Sequence, residues 1–323
     1  MATIFDKAIE VVKNSKKFII ITHINPEGDA LGSLFGTALA LKTMGKEVVV
    51  YTEVPIPNPF EFLPGVDLVV HSFDGVTDID ATIAVDCGQL SRLGDDFVNF
   101  KEPGVIINMD HHPTNSNFGD INIVVPEASA AGEIVYDFLV EAGIAVDKDI
   151  ATNLYIAIHT DTGGFKYSSS TAAAFRKAGE LVTLGADPWD ISMRVYENYP
   201  VEKFRLLGQI LNTIDLSSND KVATVKVSLE MLKSVGDDGG KDLSDGAVNY
   251  ARSIRGVEVG LLLRECEDGS YKISMRSKSE VDVACVAEHF GGGGHINAAG
   301  ARVEGIFEDV KARVLGELAK QLN

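Results

Sequence analysis

The chain has 323 residues, of which 45% are apolar and 24% charged; this is the mix of a soluble globular protein and excludes disordered, collagen-like and coiled-coil classes. The length is comfortable for two domains, and no apolar run approaches the roughly 20 residues that span a bilayer. Against 29 basic residues stand 47 acidic ones, a net charge of −18, so a long nucleic-acid duplex, whose capture depends on many phosphate contacts, is a disfavoured partner.

From residue 17 onward apolar runs alternate with helical patterns. Strands are expected at 18–22, 47–51, 67–70, 81–85 and 105–109. A helix over 29–44 ends at Gly45, and Ser129 is placed to cap another that runs to about Ala142 with Glu133 near its start. Further helices are expected at 149–159, 171–184 and 188–197. Continuous Ile/Val runs separated by helices point to a mostly parallel, Rossmann-like α/β sheet with helices on both faces. Near Tyr199-Pro200 the rhythm changes. A helix over 201–213 leads to an alternating strand at 221–228, a hairpin of 257–264 with 271–277, a helix at 281–289, the run Gly291-Gly292-Gly293-Gly294 and a last helix from Phe307. The expected organisation is a catalytic domain over 1–187, a linker over 188–205 and a smaller C-terminal α/β domain over 206–323, across a cleft.

Histidines and carboxylates fall at the ends of the strands. The first strand runs into His23, the fourth into Asp86 and the fifth into Asp110-His111-His112. Ligands of open α/β sheets sit beyond the carboxyl ends of the strands, so three strands aim hard ligands at one edge. Asp161, opening a glycine turn after a helix, is a fourth contributor. Imidazoles and carboxylates gathered without basic neighbours repel one another unless a divalent cation joins them. A carboxylate-rich, cysteine-free set suits Mn²⁺ or Mg²⁺ better than structural zinc, and more carboxylates than one ion needs suggest two. The three cysteines, Cys87, Cys266 and Cys285, lack metal-type spacing and are expected to be reduced thiols. With no basic-then-apolar leader in the opening residues, the expected location is cytoplasmic.

The segments His23-Ile24-Asn25-Pro26-Glu27-Gly28-Asp29-Ala30-Leu31-Gly32-Ser33, Asp86-Cys87-Gly88, Asp110-His111-His112 and Asp161-Thr162-Gly163 occur in the order and approximate spacing of the DHH phosphoesterase superfamily. Gly292-Gly293-Gly294-His295-Ile296-Asn297-Ala298-Ala299-Gly300 resembles the signature of the DHH-associated domain. The length is similar to that of the oligoribonucleases (nanoRNases) and pAp phosphatases of the superfamily. RecJ-like exonucleases are larger, and family II pyrophosphatases lack the glycine signature. The resemblance implies that His23, Glu27 and Asp86 hold one ion, and that Asp29, Asp86, His111 and Asp161 hold a second, with Asp86 bridging. It implies Mn²⁺ as the cofactor, with Mg²⁺ or Co²⁺ as substitutes. His112 would face the phosphate, Asp110 would support it, and Asn115 also falls on a family position. Where the family has Pro-Asp-Gly-Asp, this chain has Pro26-Glu27-Gly28-Asp29, which moves one carboxylate by about a bond length.

Arg276, at a strand end, is a candidate phosphate ligand, and Gly293, Gly294 and His295 are expected to bind an anion through backbone N–H groups and the imidazole. The implied activity is a two-metal hydrolysis of short single-stranded RNA to mononucleotides and of pAp to AMP, with no membrane partner; a homodimer is compatible. The alternatives are a dimetal pyrophosphatase, a linear-dinucleotide hydrolase, or a nucleotide-binding regulator impaired in catalysis through Glu27.

Overall fold

The computed structural model describes residues 3–237, 243–278 and 280–322, with His295 described by its backbone alone. Two compact units divide the chain, Met1–Asn198 and Tyr199–Asn323.

In the first unit, α1 (Asp6–Asn14) precedes β1 (Lys17–Ile21), α2 (Gly28–Thr43), β2 (Glu47–Tyr51), β3 (Val69–Val70), β4 (Ala81–Val85), α3 (Asp95–Val98), β5 (Val105–Asp110) and β6 (Ile121–Val124). Four helices follow: α4 (Ala131–Ala142), α5 (Lys148–Asp161), α6 (Ala172–Thr183) and α7 (Pro188–Tyr196). The six strands are parallel, in the order β3-β2-β1-β4-β5-β6. Both faces of β1 and β4 are covered, which is why these strands read as unbroken apolar runs. Phe18, Ile20, Ile83, Val85, Ile107 and Met109 pack with residues of α1, α2 and α4. Ile19, Ile21 and Ala84 face the other layer, which holds Leu93 and Phe97. Stacked and tilted rings of Tyr51, Phe73, Phe97 and Phe100 complete that layer.

The order turns back between β1 and β4, because β2 and β3 are added on one side and β5 and β6 on the other. Chains leaving two adjacent strands in opposite directions open a crevice at their carboxyl ends, the usual ligand position of such sheets. Outside this layer α5 lies along α2. A Cβ added at Gly32 would sit 2.2 Å from the Asn153 carbonyl oxygen, so only glycine permits the approach.

The second unit consists of α8 (Val201–Leu211), β7 (Asp215–Ser217), β8 (Val222–Val227), α9 (Leu229–Ser234), α10 (Ala247–Ser253), β9 (Val259–Glu265), β10 (Ser270–Ser277), α11 (Val283–His289), β11 (Gly293–His295), β12 (Ala298–Glu304) and α12 (Phe307–Gln321). Its sheet runs β11-β12-β10-β9-β8-β7, with β8 and β9 parallel and the other pairs antiparallel. Alternation divides the side chains between two cores. Val259, Leu261 and Leu263 pack with α11 and α12, whereas Leu262 packs with α8, α9 and α10. The glycine run leads from the end of α11 into β11, the first strand of a hairpin with β12, and a Cβ on Gly292 would meet the Gly300 carbonyl oxygen at 2.1 Å. The three cysteines are free. No helix among the described residues is long and apolar enough to cross a membrane.

Candidate metal centre

The crevice gathers residues from five segments. His23 follows β1, Asp29 lies in the first turn of α2, Asp86 follows β4, His111 and His112 follow β5, and Asp161 ends α5. The Nε2 atom of His111 stands 3.7 Å from Asp29 Oδ2, 3.6 Å from Asp86 Oδ1 and 3.7 Å from Asp161 Oδ2. His23 Nε2 lies 3.6 Å from Asp86 Oδ2. These separations are too long for hydrogen bonds. They suit donors that each reach a shared divalent ion at about 2.1 Å. Two sets of three converge in this way, Asp86 with His111 and His112, and Asp29 with His111 and Asp161.

Two of these side chains, His111 and Asp29, are aimed by neighbours. His111 Nδ1 is 3.2 Å from the Ala128 carbonyl oxygen; an Nδ1–H donated there leaves the Nε2 lone pair facing the carboxylates. Asp29 accepts the N–H groups of Ala131 (2.7 Å) and Gly132 (3.0 Å) and the hydroxyl of Ser33 (3.0 Å). Those two amides open α4, so the helix terminus stabilises the carboxylate. Ser129 therefore does not have the capping role its position suggests. Ala130 is the N-cap residue, and the Ser129 N–H donates instead to Glu133 Oε1 at 2.8 Å. Asp86 sits at φ +52°, a left-handed conformation unusual outside glycine.

The charges are frustrated as they stand. Asp86 is buried, its Oδ1 has no hydrogen-bond partner, and its carboxyl is held well above the usual range by burial and then by the charges of Asp29, Asp161, Asp110 and Glu27. Burial also raises Asp29, against the pull of His111 and the two amides. Asp161 is pushed up to about 7 by loss of solvent and by Asp29 and Glu27, with His111 opposing. No lysine or arginine pairs with Asp29, Asp86 or Asp161 among the described residues. An orphaned buried acceptor inside a group of repelling carboxylates fits divalent cations.

His112 and Asp110 form a separate pair. His112 Nδ1 lies 2.7 Å from Asp110 Oδ1. Burial works against a charged His112, but the hydrogen bond and charge of Asp110 outweigh it and raise its pKa. The same bond, with Asn115, keeps Asp110 low despite burial.

Other expected residues are placed less centrally. Glu27 is exposed at the N-cap of α2 and belongs to neither converging set. Its charge nevertheless reaches Asp86 and Asp161. Arg276 lies on β10, its Nη1 donating to the Met275 carbonyl at 3.0 Å. Gly293 and Gly294 lie on β11, and register through Ala298 of β12 aligns Arg276 with the His295 backbone. The His295 side chain lies outside the described residues. Arg92, not anticipated from the sequence, is exposed on the turn after Asp86, and its carbonyl accepts the Ile24 N–H at 2.8 Å. After burial, its charge is the largest cause holding His23 down at about 4.

Residues 17–158 match the DHH family N-terminal domain and residues 219–323 the DHHA1 domain. Over 304 residues the chain is 33% identical to the bifunctional oligoribonuclease and PAP phosphatase NrnA of Thermus thermophilus, covering 94% of this chain and 89% of that protein. The Bacillus subtilis protein of the same name is 27% identical, over 93% of each chain. An exopolyphosphatase-related protein from Bacteroides fragilis superposes with a TM-score of 0.89 at 28% identity, over 98% of this chain and 95% of that one.

Proposed function

The chain belongs to the DHH phosphoesterase family and carries a DHHA1 domain, and from that premise we propose that it hydrolyses short oligoribonucleotides to mononucleotides and pAp to AMP, with Mn²⁺ at the crevice. One observation carries the reading: five separate segments bring His23, Asp29, Asp86, His111, His112 and Asp161 to one crevice, where the buried Oδ1 of Asp86 accepts no hydrogen bond.

In this proposal His23, Glu27 and Asp86 hold one ion, and Asp29, Asp86, His111 and Asp161 hold the other. Two bound cations would supply a water of lowered pKa and offset negative charge on the phosphoryl oxygens. Asp29, fixed by the amides of α4, and His111, fixed by the Ala128 carbonyl, keep their donor atoms in place without reorganisation. His112 is the residue that meets the scissile phosphate. Its Nδ1–H is given to Asp110, so Nε2 is the atom that hydrogen-bonds the phosphoryl group and passes a proton to the leaving oxygen. In the second unit, Arg276 with Gly293, Gly294 and His295 would recognise a substrate phosphate remote from the reacting bond.

Turnover of pAp, a ribodinucleotide and pyrophosphate by the full chain with Mn²⁺ tests the reading, with Asp86→Asn as the control. Hydrolysis of the first two, lost in the variant, is expected. Pyrophosphate as the only substrate would sink it.

A further inference from the structure

Asn115 lies where the turn after β4 meets the loop after β5. Its Nδ2 is 2.6 Å from Asp110 Oδ2, 2.8 Å from Asn108 Oδ1 and 3.3 Å from the Cys87 carbonyl oxygen. Its Oδ1 accepts the Asn117 N–H at 2.6 Å. Every group facing Nδ2 is an acceptor and the group facing Oδ1 is a donor, so a flipped amide would meet repulsion on both sides.

Asp110 is fully buried. One of its oxygens takes His112 and the other takes Asn115, and a carboxylate engaged at both oxygens cannot turn about its own bond. The second asparagine extends the link. Asn108 Nδ2 donates to the Cys87 carbonyl at 3.0 Å, and the Ser116 N–H donates to the Gly88 carbonyl at 2.9 Å. These bonds clamp the turn that begins at Asp86 in its left-handed conformation, which persists only where the surroundings impose it.

We propose that Asn115 is a positioning residue: it locks the Asp110 carboxylate so that His112 presents Nε2 outward, and it ties that pair to the turn carrying Asp86. The geometric part stands alone, whereas the catalytic consequence rests on the role given to His112 above. Asn115→Asp is nearly isosteric but sets an oxygen against three acceptors, so it is expected to be worse than truncation.

The test uses the full chain. In the metal-free, nitrogen-15-labelled protein the His112 Nδ1 proton should give a downfield resonance, lost in Asn115→Ala and in Asn115→Asp. With Mn²⁺, kcat on pAp should fall about 10-fold in Asn115→Ala and about 100-fold in Asn115→Asp, with KM within about twofold. Should truncation prevent folding, the near-isosteric variant decides. A wild-type protein without the resonance, variants that keep it, or Asn115→Asp no worse than Asn115→Ala would each overturn the proposal. Wild-type protein that cleaves no phosphoester would defeat the proposed function, while the resonance would still decide the role of Asn115.

Discussion

Gly32→Ala should weaken the first unit and the metal centre together. A methyl group there would meet the Asn153 carbonyl oxygen at 2.2 Å, with Ala157 Cβ and N both at 3.0 Å. Carbon–oxygen contact needs more than 3 Å, so α2 and α5 must separate by on the order of 1 Å. Alanine gains about 1 kcal/mol over glycine in a helix interior, whereas overpacking against a backbone group costs about 1–3 kcal/mol or more. Because the 2.2 Å clash is with main chain, the upper end of that cost applies, and the net expectation is a destabilisation of about 2 kcal/mol or more. The two helices also carry Asp29 and Asp161, each 3.7 Å from His111 Nε2; spreading them should weaken Mn²⁺ binding by roughly tenfold. Gly36 and Gly179 supply the contrast. At Gly36 the nearest atom is the end of the Leu154 side chain, 2.8 Å away, which can turn aside. At Gly179 nothing lies within 4 Å, so Gly179→Ala should stabilise by about 0.5–1 kcal/mol. Urea unfolding followed by circular dichroism, with and without Mn²⁺, and calorimetric titration of the ion measure both effects. Gly32→Ala as stable as Gly179→Ala, with unchanged Mn²⁺ affinity, would refute the reasoning.

Mn²⁺ binding at pH 7 should release protons, because Asp86 is raised well above the carboxylate range and Asp161 to about 7. Titration calorimetry in buffers of different ionisation enthalpy checks this, and proton uptake would contradict it. The sign for stability follows from the same shifts. Carboxyls with raised folded-state pKa values contribute most at low pH, and the contribution fades as pH rises through those values. Chelated protein should therefore melt at a lower temperature at pH 8 than at pH 6.5, above the range in which His23, lowered to about 4, acts in the opposite sense. Glu27→Ala should reduce the bound Mn²⁺ from two ions to one, as counted by elemental analysis after gel filtration; two retained ions would place Glu27 outside the coordination sphere.

The parallel sheet was legible because burial on both faces forces continuous apolar runs such as Phe18–Ile21, and the doubly wound order follows from helices between them. β6 escaped because Ile-Asn-Ile-Val is only four residues long and broken by Asn122, and β12 because Ala298 to Glu304 reads as a loop signature although it pairs along β10. In the crevice, His23, Asp86, His111 and Asp161 could be anticipated from their positions at element ends, which is where a sheet delivers ligands. What supports them could not. Two of the three donors to Asp29 are main-chain amides 102 and 103 residues away, and an amide has no letter in a sequence. Asn108 did leave a trace, a polar residue inside the strand Val-Ile-Ile-Asn-Met, where burial demands a specific partner. The partner itself became visible only in three dimensions.

Crystals grown with Mn²⁺ and measured by anomalous scattering near the manganese edge test the metal centre most directly. Two peaks are expected, one bounded by Asp29, Asp86, His111 and Asp161 and one by His23, Glu27 and Asp86. A map without peaks between those side chains, from crystals saturated with the ion, would contradict the two-cation phosphoesterase centre.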